Sequence, residues 1–221
     1  MKVMILAAGR GQRMRELTKN CPKPLLKING LSLIEHHIRA LKKQGFNEFV
    51  INVAYLGEQI KLALGDGEQW GVSIAYSDES DTALETGGGI FKALPLLGEN
   101  HFLVVNADVW IDFPYASLRK ETCKKIHLVL VNNPEHNLVG DFQLKDGQLV
   151  ERGGACLTYS GVGVFHPSVF SAERGGVFPL APLIRRQIPY AEVSGQLHNS
   201  VWVDVGTPER LAFLESQMVT Q

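Results

Sequence analysis

Apolar residues follow two rhythms along this chain, with short β-like runs alternating with longer stretches of helical spacing. Lys2–Ala7 predicts a buried first strand. Leu33–Gln44 carries Leu33, Ile34, Ile38 and Leu41 on one helical face and ends at Gly45. Glu48–Val53 predicts the next strand, Glu58–Leu64 a short helix closed by Gly65, and Val72–Tyr76 a strand. Gly89–Leu97 contains a short helix, and His101–Val105 and Ile126–Val131 are continuous apolar strands. This β-α-β-α-β-α-β order over residues 1–131 predicts a parallel-dominated sheet with helices on both faces.

The rest is less regular. Gly140–Leu144 and Leu149–Glu151 flank Asp146-Gly147, a hairpin signal. Leu157–Phe165 alternates like a strand, Leu180–Gln187 is helical, and Val201–Val205 is a strand. Pro208–Gln217 is a closing helix with proline at its start. Without repeat, low-complexity tract or linker, the pattern predicts one α/β domain, with residues 132–200 as an elaboration beside the main sheet.

Composition narrows the class. The chain has 221 residues, 45% of them apolar and 20% charged, which excludes a disordered chain. Lys plus Arg number 22 and Asp plus Glu 23, so the basic excess of a nucleic-acid holder is missing. Cys21, Cys123 and Cys156 have no CxxC spacing and predict reduced, cytoplasmic thiols. The histidines show no zinc spacing. No apolar run approaches the roughly 20 residues that span a bilayer, and Met1–Ala8 is too short for a signal segment.

The candidate chemistry begins after the first strand. Gly9-Arg10-Gly11-Gln12-Arg13-Met14 places backbone N–H groups where they can hold phosphate. It is neither a full dinucleotide motif, because Met14 replaces the third glycine, nor a Walker A loop. Arg10, Arg13 and Arg15 follow closely, and Lys23 is stiffened between Pro22 and Pro24. Cations on a rigid loop suit a polyphosphate. Taken alone, a tight turn is the lesser reading of the glycines, whereas a solvated charge is the better reading of Lys23. Asp108 ends an apolar strand where open α/β sheets bind ligands, although turn aspartates are common there. Asp204, between Val203 and Val205, reads either as a ligand or as a solvent-facing strand residue.

Together, Leu6-Ala7-Ala8-Gly9-x-Gly11-x-Arg13-Met14 and Pro22-Lys23-Pro24-Leu25 resemble the signature of sugar-1-phosphate nucleotidyltransferases. Leu84-Glu85-Thr86-Gly87-Gly88-Gly89-Ile90, Val105-Asn106-Ala107-Asp108-Val109-Trp110, Gly140-Asp141-Phe142, Tyr159-Ser160-Gly161 and Trp202-Val203-Asp204-Val205-Gly206-Thr207 resemble its bacterial branch acting on N-acetylmuramate 1-phosphate in peptidoglycan recycling. Glu16 departs from a frequent proline and Ala107 from an expected glycine.

The resemblance implies a Rossmann-like three-layer nucleotidyltransferase fold with a mixed, mostly parallel central sheet. It implies UTP as donor, a sugar 1-phosphate as acceptor, Mg²⁺ as cofactor and loss of pyrophosphate. It assigns catalysis to Arg13, Lys23 and Asp108, and metal binding to Asp108 and Asp204. Leu6, Ala7, Gly9, Gly11, Gln12, Arg13, Lys23, Glu85 and Gly88 would hold the nucleotide. Asn106, Asn133, Asp141 and Ser160 would hold the sugar. Residues 1–131 would then be the nucleotide core, 132–200 the sugar-binding part, and 201–221 the metal strand and closing helix.

Thr86 is expected to cap a helix, His136 to face solvent in a turn, and Trp202 to pack in the core. The anionic acceptor needs no general base, so in-line attack without a covalent intermediate is expected. The span from Leu6 to Asp204 leaves no room for an appended C-terminal domain, so a minimal, single-activity, monomeric enzyme without membrane or nucleic-acid partner is expected. Another sugar or base, a silent sugar-nucleotide sensor, and a dinucleotide oxidoreductase are the competing readings.

Overall fold

In a computed structural model, residues 1–80, 83–120, 124–150 and 154–218 are described. Its first strand shows how the layers form. In β1 (Val3–Leu6), Val3 and Ile5 face Ile34, Ile38 and Leu41, while Met4 faces Ile90, Ala93 and Leu97 on the other side. Period-two alternation thus feeds two cores, one on each face of the sheet.

The chain continues through β2 (Lys27–Ile28), β3 (Leu31–Ser32), α1 (Leu33–Lys43), β4 (Glu48–Val53), α2 (Gly57–Leu64), β5 (Ser73–Asp78), α3 (Glu85–Leu97), β6 (Phe102–Asn106) and β7 (Val109–Ile111). Next come β8 (Ile126–Val131), β9 (Gln143–Lys145), β10 (Gln148–Val150), β11 (Thr158–Phe165), α4 (Leu180–Gln187), β12 (Val193–His198), β13 (Trp202–Asp204) and α5 (Pro208–Met218). Helix α1 starts with a capping box in which Ser32 and Glu35 satisfy each other's backbone N–H. Helices α1 and α2 cover one face, and α3 and α4 the other.

The main sheet has nine strands in the order β5-β4-β1-β6-β11-β8-β12-β10-β9. Strands β5, β4, β1 and β6 are parallel, and β12 is parallel to β8. Among these described strands, only β11 and β10 run against the rest. The chain order reverses at β1, with β4 on one side and β6 on the other. A crevice opens at the carboxyl ends of strands at such a switch.

Three differences from the sequence pattern matter. Strands from residues 132–200 are not beside the sheet but built into it, with β11 inserted between β6 and β8. Helix α3 starts at Glu85 rather than Gly89, because its glycines hide the helical pattern while packing demands them. β7 and β12 escape prediction, being respectively very short and interrupted by Gly195 and polar residues. At the hairpin, Asp146 and Gly147 both have positive φ, as a tight two-residue turn requires, and Glu151 lies outside the described residues. No helix among the described residues is long and apolar enough to cross a membrane.

A third, smaller core decides where the site forms. Met14, Leu26 and Ile28 near the N-terminus pack with Leu33, Val205 and Leu214. This cluster pins the glycine-rich loop against the late β13–α5 segment.

Candidate active site

A cavity of about 440 Å³ opens at the carboxyl ends of β1, β4 and β6. Leu6, Ala7, Gly9 and the loop from Arg10 to Arg13 form one wall. Ala83, Glu85 and Thr86 near the start of α3 form another, and Asn52 and Glu79 also line the cavity. Lys23 and the stretch Asn106–Asp108 close the end.

The loop owes its shape to Gly11. Its φ is +64°, and a Cβ there would stand 3.1 Å from Lys23 Cβ, so glycine lets Lys23 pass close behind the loop. The Thr18 hydroxyl donates to Gly11 O at 2.9 Å. Tyr55 supports the same loop, donating to Lys19 O at 2.8 Å while the Arg10 guanidinium lies 5.3 Å from its ring centre. Glu16 points to solvent beside Lys19. Ala107 has no left-handed backbone, and its N–H donates to Leu6 O at 3.1 Å.

Lys23 is only 6% exposed, and its Nζ donates to Asp108 Oδ2 at 2.5 Å. Beneath Asp108, the buried His37 of α1 bonds the Val109 backbone, and burial holds its imidazole down at about 4 despite the Asp108 charge nearby. Asp108 lies next to β7, and Asp204 ends β13, which pairs antiparallel with β7. Val205 N–H donates to Asp108 O at 2.8 Å, so the two carboxylates come from facing backbone positions.

Asp204 carries its own cation, since Arg210 Nη1 donates to its Oδ2 at 2.8 Å. His136 sits in an exposed loop, as expected, but it is not turned away. Its Nε2 lies 3.2 Å from Asp204 Oδ2 and 3.0 Å from Arg210 Nη1, because the loop folds back onto β13.

A second cavity of about 280 Å³ adjoins the first and shares Arg13, Asn106 and Asp108 with it. Asn106 Oδ1 is buried there without a partner. The β11 strand bulges between Tyr159 and Val162, and a Cβ on Gly161 would come within 2.9 Å of the Asn106 side chain. Trp202 packs against the core as expected, and it also lines this cavity while its Nε1 donates to Ser160 O at 2.9 Å.

The residues expected to bind substrate are placed unequally. Leu6, Ala7, Gly9, Gly11, Gln12, Arg13, Lys23 and Glu85 line the larger cavity. Gly88 does not; its N–H donates to Phe178 O at 3.1 Å, and a Cβ there would run into the Gly176 carbonyl oxygen. Thr86 is not the cap of α3 but lies within its first turn, following Leu84 as the capping position.

On the sugar side, Ser160 lines the second cavity, although its hydroxyl already donates to Val129 O at 2.7 Å. Asn133 and Asp141 line neither cavity. Asn133 donates to Leu138 O and Cys156 O at 3.1 and 2.9 Å and accepts from Thr158. Asp141 accepts from Tyr159 N–H at 2.8 Å and from Asn137. Both brace the loop that carries His136.

The donor set suits Mg²⁺. Asp108 and Asp204 each turn Oδ2 to a cation, while their Oδ1 atoms take no hydrogen bond from the described residues. The described residues contain no cluster of three or more His, Cys, Asp or Glu side chains able to hold a metal. Two carboxylates completed by water and phosphate oxygens are the usual protein share of a Mg²⁺ shell. Sequence reasoning missed Asn52, Glu79, His37 and Arg210; an isolated polar residue inside an apolar strand was the only signal for Asn52.

The model of the nucleotidyl transferase family matches residues 2–152. Over 220 residues the chain is 50% identical to N-acetylmuramate alpha-1-phosphate uridylyltransferase of Neisseria meningitidis serogroup B, covering 96% of this chain and 95% of that one. The protein of that name from Caulobacter vibrioides is 32% identical over 231 residues, covering 97% and 96%. Among solved structures, a Bacillus anthracis protein described as a putative glucose-1-phosphate thymidylyltransferase superposes with a TM-score of 0.89, covering 98% of this chain and 94% of that one. At 19% identity, that likeness concerns the fold alone.

Proposed function

Because the chain belongs to the nucleotidyl transferase family, we propose that it transfers UMP from UTP to N-acetylmuramate 1-phosphate, with Mg²⁺, releasing pyrophosphate. The observation that carries this reading is the shared wall of the two cavities. Arg13, Asn106 and Asp108 line both, so phosphorylated substrates seated one in each cavity would meet there.

An oxygen of the sugar phosphate attacks the α-phosphorus in line, and the bond from that phosphorus to the pyrophosphate oxygen breaks. The attacking oxygen is already anionic, so no side chain has to remove a proton. The barrier is the approach of two anions, and the chain's cations lower it. Lys23, fixed by Asp108 in the larger cavity, would hold the α-phosphate, with Arg13 taking charge from the departing pyrophosphate. Arg210 already occupies Asp204, and Lys23 already occupies Asp108, which leaves Arg13 without an ion pair among the described residues. Asp108 and Asp204 would hold Mg²⁺, which when bound would supply charge neutralisation and a template for the two phosphates.

The β1 wall and the start of α3 would bracket base and ribose. Asn106, whose buried Oδ1 lacks a partner, is the first candidate to bind a sugar hydroxyl or N-acetyl group. Cys21 and Cys156 are free, which suits a reducing compartment, and Cys123 lies outside the described residues.

The test is pyrophosphate release from a panel of UTP, GTP, dTTP and CTP with N-acetylmuramate, glucose and mannose 1-phosphates and Mg²⁺. Release with UTP and N-acetylmuramate 1-phosphate is expected. Release only with GTP and mannose 1-phosphate overturns the substrate assignment and keeps the chemistry. Silence with every pair overturns the enzyme reading in favour of a sensor.

A further inference from the structure

We infer that the buried Asn52–Glu79 pair is a positioning device that ties the two walls of the nucleotide cavity together and fixes their spacing. The inference rests on assigning the larger cavity to the nucleotide. Asn52, on β4, is 3% exposed, and Glu79, just after β5, is 4% exposed. Polar groups so deeply buried persist only when their bonds are satisfied.

Here the bonds form one path from wall to wall. Ala7 N–H donates to Asn52 Oδ1 at 2.8 Å, and Asn52 Nδ2 donates to Glu79 Oε1 at 2.6 Å. Leu84 N–H, at the start of α3, donates to Glu79 Oε2 at 2.7 Å. An apolar pair would fill the same space, but it would not direct two backbone N–H groups.

Both ends of the path meet parts of the site under constraint. At the α3 end, Leu84 O also accepts from Phe178 N–H at 3.2 Å, so the residue is held on both sides. The next residue, Glu85, has φ of +58°, a left-handed conformation that a non-glycine keeps only when its surroundings dictate it. At the other end, Leu6 O accepts from Ala107 N–H, which links the β1 wall to the turn bearing Asp108.

The pair also sets how closely α3 approaches. A Cβ on Gly89 would come within 2.5 Å of Glu79 Oε1 and 2.9 Å of Asn52 Nδ2. The third glycine of the triplet is therefore the imprint of this pair on the helix.

Both outer bonds come from backbone N–H donors, so only the central Asn52–Glu79 bond can run either way, and that makes the path testable by reversal. Glu79→Gln or Asn52→Asp alone leaves mismatched groups facing each other. The double variant N52D/E79Q restores every bond with the direction of the central one reversed. The amide introduced on β5's side would donate to the carboxylate introduced on β4 and accept from Leu84 N–H, while that carboxylate would still accept from Ala7 N–H. The net charge is unchanged.

UTP affinity in the presence of Mg²⁺ is measured by calorimetry, with melting temperature, kcat and both KM values alongside. Each single variant is expected to bind UTP about tenfold more weakly, with the KM for sugar phosphate within about threefold of wild type. The double variant should recover to within about threefold in UTP affinity. Melting temperatures that fall in the single variants while UTP affinity stays at the wild-type value overturn the positioning role. So does a double variant no better than either single one. Absence of UTP binding to the wild type overturns this inference and the nucleotide assignment together. Binding without turnover overturns only the proposed transfer.

Discussion

Lys23 and Asp108 lie 85 positions apart in sequence and meet at 2.5 Å, the lysine lining the larger cavity and the aspartate both cavities. Each limits the other's freedom before any substrate arrives. The lysine is buried, so its ammonium is satisfied mainly by this carboxylate.

Replacing Lys23 with Met keeps the stem and removes the charge. Turnover should fall by about two orders of magnitude, because charge on the transferring phosphate loses its fixed partner. Single-turnover kinetics would check this. A rate near wild type would assign phosphate stabilisation to Arg13 alone.

Asp108→Asn and Asp204→Asn keep shape while weakening each site's hold on a cation. Both should cut turnover more than about tenfold and raise the Mg²⁺ concentration required. Thermal melting should show a retained fold. If one variant kept wild-type rates and Mg²⁺ dependence, that residue would not be a metal ligand.

Gly88 offers a contrast between packing and binding. Gly88→Ala should destabilise the fold by about 1–3 kcal/mol, since the added methyl meets backbone rather than a flexible side chain. Chemical denaturation measures this. Unchanged stability with a raised KM for nucleotide would return Gly88 to the ligand-binding set.

His37 predicts acid sensitivity with a definite sign. Burial holds its folded imidazole at about 4, against an ordinary value of 6.5. Between these values the unfolded chain takes up a proton that the folded chain refuses. Its contribution is therefore complete above the ordinary value and is lost as pH falls toward the folded one. Stability should drop by about 2 kcal/mol between about pH 7 and about pH 5 from this residue. His37→Gln should flatten that part of the profile in urea titrations.

Much of the architecture could be read directly from the pattern, because clean periodicity survives in the sequence. Helix α4 spans the same residues as its amphipathic run, and α1 differs only at its last residue. What escaped had weak local signals. β7 is three residues long and exists because β13 pairs with it. The start of α3 is glycine-rich for tertiary reasons, with Phe178, Gly176 and Glu79 pressing on its three glycines.

The candidate site divides in the same way. Arg13, Lys23 and Asp108 stand out through their glycine, proline and strand-end surroundings. Asn52, Glu79 and Arg210 do not, because their meaning lies in partners that the fold supplies. Asn52 meets Ala7 across 45 positions and Glu79 across 27. Loop composition alone gave no hint that the His136 loop would return to Asp204.

The β7–β13 ribbon has a consequence for how the molecule comes to life. Val109 pairs with Asp204, so the two carboxylates become neighbours only when a late stretch of polypeptide docks on an early one. A nascent chain can pair the parallel strands β1, β4, β5 and β6 well before that stretch is available. Activity should therefore appear late and abruptly in folding, at the closure of a single three-residue pairing.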